Sequence, residues 1–176
     1  MKRGLVFYSS FLFLLIGCSD FEPFKGEKIT QFAASVIAFS SQWTATAWSA
    51  QRALGPNNVS AGAGSHENAW SSLTADGQRE FLVLGFAEPQ TVKKIEIYEN
   101  VFPGAIDTVY LRNSVTSKWI TVYSKPAQAN LGEAGRVFSI HLIETPYKAN
   151  AIRLAINSPA VKDWNEIDAV AITGQK

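Results

Sequence analysis

The chain has 176 residues, with 16 Lys plus Arg against 15 Asp plus Glu, a single cysteine, 47% hydrophobic and 18% charged residues, fewer charges than the roughly 25% of an average soluble protein. That length holds one ordinary domain and excludes a many-domain enzyme. A formal charge of +1 with no run of like charges offers no field to neutralise phosphates, which argues against nucleic acid as a partner. One cysteine makes neither an internal disulfide nor a Cys-based zinc framework.

In chain order, Lys2 and Arg3 precede a mostly apolar run over residues 5–16, the length of a signal-peptide core and too short for the about 20 residues of a spanning helix. The run ends at Leu15-Ile16-Gly17-Cys18. This tetrapeptide resembles the lipobox of bacterial lipoproteins. The resemblance implies that residues 1–17 are removed, that Cys18 carries the lipid, and that Ser19 after it directs the protein to the outer membrane of the cell envelope. A lipid anchor holds a protein at the membrane without crossing it. Residues 18–30, with Asp20, Glu22, Pro23, Lys25, Gly26, Glu27 and Lys28 and little periodicity, read as a tether. The domain is expected over residues 31–176.

Within it, residues 35–54 read as a strand followed by one helical turn, and the glycine-rich stretch 55–65 as a loop. From residue 81 onward apolar side chains recur with period two, which predicts strands over 81–86, 92–98, 108–112, 119–123, 136–143, 151–156 and 167–173. Turn residues separate them, among them Pro103-Gly104 and Asn157-Ser158-Pro159. The absence of a sustained 3.6-residue period between them points to an all-β sandwich or barrel and away from a doubly wound nucleotide fold.

Chemical motifs are sparse. Gly62-Ala63-Gly64 lacks the third glycine and the flanking strand and helix of a dinucleotide site, and no phosphate loop or nucleophile elbow is present. His141 falls on the polar side of a strand; His66 falls in a loop. Glu166 and Asp168, two apart on a predicted strand, point to one face about 7 Å apart. That spacing suits a solvated face, a Ca²⁺ site or a glycosidase acid pair equally well. Five tryptophans (Trp43, Trp48, Trp70, Trp119 and Trp164), together with Tyr98 and Phe102, raise the possibility of sugar stacking on exposed rings. Trp119, inside a strand, is expected in the core.

Three segments carry a wider resemblance: residues 47–58 (AWSAQRALGPNN) with Ala69-Trp70-Ser71; residues 81–86 (FLVLGF) through Ile97-Tyr98-Glu99-Asn100 and Pro103-Gly104-Ala105-Ile106; and residues 147–154 (YKANAIRL) closing in residues 164–174 (WNEIDAVAITG). In order and spacing they resemble the discoidin-like, coagulation-factor type C domains of the galactose-binding-like superfamily, in the variant found in bacterial surface proteins and pappalysins. The likeness spans about residues 35 to 174. It implies an eight-stranded jelly-roll β-sandwich that binds through its end loops and does not catalyse. It also implies a structural Ca²⁺ between the early loop and the last strand, for which Asn57, Asn58, Glu166 and Asp168 are the candidate ligands.

Loop position and hydrogen-bonding or aromatic character single out Glu99, Asn100, Phe102 and Trp164 as ligand-binding candidates. The function expected is a lipid-anchored envelope protein that binds a glycan. The alternatives are a protein-interaction or adhesion module with an apolar patch at Phe102, and, more remotely, a glycoside hydrolase using Glu166 and Asp168.

Overall fold

Alternating apolar residues bury one face of each strand when two sheets pack together, and the described residues do this with almost no helix. A computed structural model describes residues 26–60 and 63–176; Cys18 and the signal and tether residues before 26 lie outside the described residues. Nine strands run in chain order: β1 (Lys28–Phe32), β2 (Ser35–Phe39), β3 (Glu80–Gln90), β4 (Lys94–Val101), β5 (Ile106–Asn113), β6 (Trp119–Ser124), β7 (Ala134–His141), β8 (Ala149–Ile156) and β9 (Glu166–Gln175). Two short 3₁₀ turns, Ala50–Ala53 and Ser158–Ala160, interrupt them. No helix among the described residues is long and apolar enough to cross a membrane.

The strands form two antiparallel sheets, a four-stranded one in the order β1-β9-β4-β7 and a five-stranded one in the order β2-β3-β8-β5-β6. This is the all-β sandwich expected from the sequence, and the structure adds two details. The sandwich begins at Lys28, so residues 28–30, expected in the tether, are an edge strand with Lys28 opposite Gln175 and Thr30 opposite Thr173. β7 also starts two residues earlier than the alternation predicted.

Between the sheets lies one core. It takes Ile95 and Ile97 from β4 and Ile167, Val170 and Ile172 from β9, facing Leu82, Leu84, Val109, Leu111, Ile152, Leu154 and Ile156 of the other sheet. Each such side chain contributes on the order of 1.5–3 kcal/mol by leaving water. Where β9 ends, a Cβ at Gly174 would stand 1.7 Å from the carbonyl oxygen of Thr91, so only glycine allows this close approach.

The chain passes between sheets at Ala33 and Ala34, whose N–H groups donate to Val170 of one sheet and Gly85 of the other. Gly26 donates to Gln175 Oε1 at 3.1 Å. The N-terminal segment therefore joins the sandwich at the Gln175 end of β9, roughly 30 Å along the strand from Glu166. The two ends of β9 define two ends of the molecule.

Candidate functional site

At the Glu166 end, three stretches of irregular chain converge. After β2 the Ser/Thr-rich segment 40–49 cannot extend the sheet and instead crosses its end. Trp43 N–H donates to the Ser71 carbonyl at 2.9 Å, and Trp48 exchanges main-chain bonds with Glu67 and Ser71. Trp48 itself has φ +50, a left-handed conformation that turns its ring back toward β9. Trp70 staples this shoulder to the sandwich. Its ring is completely buried, its main chain bridges Ile167 in both directions, and its indole N–H donates to the Ser41 carbonyl at 3.1 Å.

What these segments leave open is a cleft of about 190 Å³ lined by Trp43, Trp48, Trp164, Ser65, Ser71 and Glu166. Trp43 is 45% exposed, and its ring meets Trp164 edge to face with centroids 5.4 Å apart. Three indoles around one opening supply flat apolar surface, and Ser65 at the rim adds a hydroxyl. Such a lining stacks and orients a ring that has both apolar faces and polar edges.

Glu166 lies beneath the cleft, almost fully buried. Its Oε1 accepts Trp48 Nε1–H at 3.1 Å and the Ser65 hydroxyl; its Oε2 accepts His66 N–H and Asn100 Nδ2–H, each at 2.9 Å. Four donors fill the acceptor sites of one carboxylate. Asp168, two residues on, accepts the main-chain N–H groups of Asn58 at 3.0 Å and Val59 at 3.2 Å. Its pKa is raised by burial, against the opposing pull of those N–H groups and of His66. Both carboxylates are thus clamps that pin Asn58, Val59, Ser65 and His66 onto β9.

This arrangement bears on two expectations. Calcium needs carboxylate and carbonyl oxygens turned toward it, whereas here four donors fill the acceptor sites of Glu166 and two N–H groups bind Asp168. Asn57 and Asn58, the other two candidates, are exposed. Glu166 therefore has no acceptor site left for a calcium ion, and the described residues contain no group of three or more His, Cys, Asp or Glu that could hold a metal. Glycosidase chemistry needs two carboxylates facing each other across a sugar. The cleft is lined by Glu166 alone, and Asp168 is turned into the loop.

Of the four ligand-binding candidates, Trp164 lines the cleft. Glu99 and Asn100 are buried at the end of β4, where they work internally. Glu99 accepts Gly104 N–H at 2.8 Å and Arg136 Nε–H at 2.6 Å, with its pKa raised by burial in spite of both. Asn100 donates to the Gly64 carbonyl and to Glu166. Both border a second opening, of about 240 Å³, with Tyr98, Arg136 and Asp168. Phe102, with φ +44, packs against the core, so no apolar patch is built on it.

Trp119 is the reverse case: it sits on the edge strand β6, 38% exposed, not in the core as its strand position suggested. His141 is exposed on β7 as expected, and His66 Nδ1 accepts the Asn68 N–H at 3.2 Å, a local turn contact. Sequence reasoning named Trp43 and Trp48 only within the aromatic set. The signal that marks them is a pair of tryptophans in a polar stretch too irregular to be core.

Comparison with solved structures gives the same sandwich at low identity. Chitosan-binding module 1 of a chitosanase/glucanase from Paenibacillus sp. IK-5 superposes with a TM-score of 0.59 at 18% identity, covering 81% of this chain and 96% of the module. The family 32 carbohydrate-binding module of Streptococcus pneumoniae EndoD gives 0.58 at 14%, covering 83% and 99%. Reduced XRCC1, solved bound to the DNA pol beta catalytic domain, gives 0.63 at 13%, covering 83% and 99%. The likeness lies in the fold. Comparison with curated proteins gives no match. A family model does match residues 23–176, from before the first strand to the last residue of the chain, and the protein belongs to that family, described as Pappalysin-1, SD scarf domain, C-terminal.

Proposed function

We propose that the protein is a lipid-anchored component of the bacterial cell envelope, held at the outer membrane through Cys18, that binds a glycan without catalysis in its three-tryptophan cleft. The observation that carries this reading is the cleft itself, with Trp43, Trp48 and Trp164 around an opening and Ser65 at its rim. Two neighbours in fold are, by their descriptions, chitosan-binding and carbohydrate-binding modules, which supports a sugar as occupant. The carboxylate beneath the rings is committed to holding the loop, which supports binding over hydrolysis.

The position of the cleft agrees with an anchor at Cys18. The N-terminal segment joins at the opposite end of the sandwich, and residues 18–27 reach at most about 35 Å when fully extended. An anchored domain would hold its cleft away from the bilayer.

Calorimetry of the full chain in detergent with chitotriose and a panel of neutral oligosaccharides tests the site. Binding is expected, and Trp43→Ala and Trp164→Ala are each expected to weaken it about tenfold or more with the folded circular dichroism spectrum retained. No binding to any glycan, or binding indifferent to both variants, overturns the reading. For the anchor, labelled palmitate is expected to enter the wild type and not Cys18→Ala; equal labelling of both rules it out.

A further inference from the structure

β5 and β8 of the five-stranded sheet point Val109, Leu111, Ile152 and Leu154 into the core, so the alternation sends Tyr110, Arg112 and Arg153 to its outer side. There the arginines lie on aromatic rings. The Arg153 guanidinium stands 5.0 Å from the centre of the Phe81 ring and 5.8 Å from that of Tyr110. Arg112 stands 5.7 Å from the Trp119 ring while its Nε–H donates to Asn150 at 3.0 Å.

Neither arginine has an ion-pair partner among the described residues, although the other sheet pairs its charges: Arg136 with Glu99 and Lys94 with Glu96. We propose that this outer face docks a protein partner that presents carboxylates flanked by apolar side chains.

Two cations without a counter-charge call for an acidic partner. Contact with the rings restricts both guanidinium groups, and their Nη–H groups can make bonds to carboxylates at reduced entropic cost. Arg, Tyr and Trp side by side are also the residue types that dominate interface energetics. A second copy of this chain would set arginine against arginine, and Arg153 already covers the Phe81 and Tyr110 rings, which removes them as platforms for a sugar. The surface is independent of the tryptophan cleft.

The test titrates the full chain in detergent with two synthetic peptides, an Asp/Glu-Phe-Trp repeat and its lysine counterpart, and with oligoglucuronate. Expected is binding of the acidic peptide, weakened at least about tenfold by Arg153→Glu and by Arg112→Glu, with the lysine peptide gaining where the acidic one loses. Glycan binding in the cleft is expected to be untouched by both reversals. If Arg153→Glu fails to fold by circular dichroism, Arg112→Glu, next to the last residue of β5, carries the test. Three results overturn the proposal: no binding of the acidic peptide, binding indifferent to charge reversal, or oligoglucuronate binding with the same arginine dependence, which assigns the face to an acidic polysaccharide.

Discussion

The sandwich and the shoulder that crosses its end are held by different forces, and two tryptophans show the difference. Trp70 is fully enclosed between shoulder and β9, whereas Trp43, part of the same shoulder, is 45% exposed over the cleft. The sandwich depends on apolar burial, which neither pH nor ligand touches. The shoulder and the neighbouring loop depend on carboxylates that gather N–H groups from segments with little apolar surface of their own, Trp48 from the shoulder and Asn58, Val59 and His66 from the loop. Stability concentrates in one region and recognition in the other, as expected when loops carry function on a rigid frame.

The largest effect that separates them is a matched pair of truncations. Trp70→Ala is expected to cost about 3–5 kcal/mol, because it empties a large enclosed site and orphans the Ser41 carbonyl. Trp43→Ala is expected to cost about 1 kcal/mol, the scale of its one edge-to-face ring contact. Chemical denaturation of both variants measures this. Similar losses at the two positions would erase the distinction between frame and shoulder.

How far the sequence showed this division follows from the same physics. Period-two alternation marked the central strands, because a strand with a buried face must alternate. It missed β1, whose short Lys-Ile-Thr-Gln-Phe run is an edge strand with one neighbour and little to bury. It misplaced Trp119 for a related reason: β6 is the edge of the other sheet, so a strand position there does not guarantee burial. At the site, Trp164 and Glu166 were legible from their place around the start of the last strand. The cleft as a whole was not, since its walls come from three segments that meet only through long-range contacts. Glu99 and Asn100 look in sequence like loop groups awaiting a ligand. In the structure Arg136, Gly104, Gly64 and Glu166 already occupy them.

An intermediate effect isolates the carboxylate clamp. In Glu166→Gln an amide NH₂ replaces one acceptor oxygen; on the Oε1 side the Ser65 hydroxyl can turn to accept from it, but the Trp48 Nε1–H meets it head on and loses its partner. A loss of about 2–3 kcal/mol is expected. It should be local: exchange at the Trp48 indole N–H, which the carboxylate holds, should quicken far more than main-chain exchange at Ile97 or Leu154. Uniform acceleration would mean that the clamp belongs to the frame and that the shoulder has no separate stability.

The smallest effect is one of pH, and it falls on Asp168. Burial raises its folded-state pKa above the ordinary 3.8 despite the opposing N–H bonds. Between the unfolded and the folded pKa the native state holds the proton more firmly than the unfolded chain. The stability from this group is complete below about pH 4 and is lost as pH rises through the folded value. The opposite slope holds for a carboxylate whose pKa folding lowers. Relative to Asp168→Asn, which has no such proton, the wild type is therefore expected to be most favoured near pH 4 and to lose ground toward neutrality. Because Asp168 holds Asn58 and Val59, the loss should register first as faster amide exchange at those two positions, while the strands keep their protection. A stability difference flat in pH, or one growing toward neutrality, would mean that the N–H groups outweigh burial at this site. The clamp would then owe its strength to the charged carboxylate.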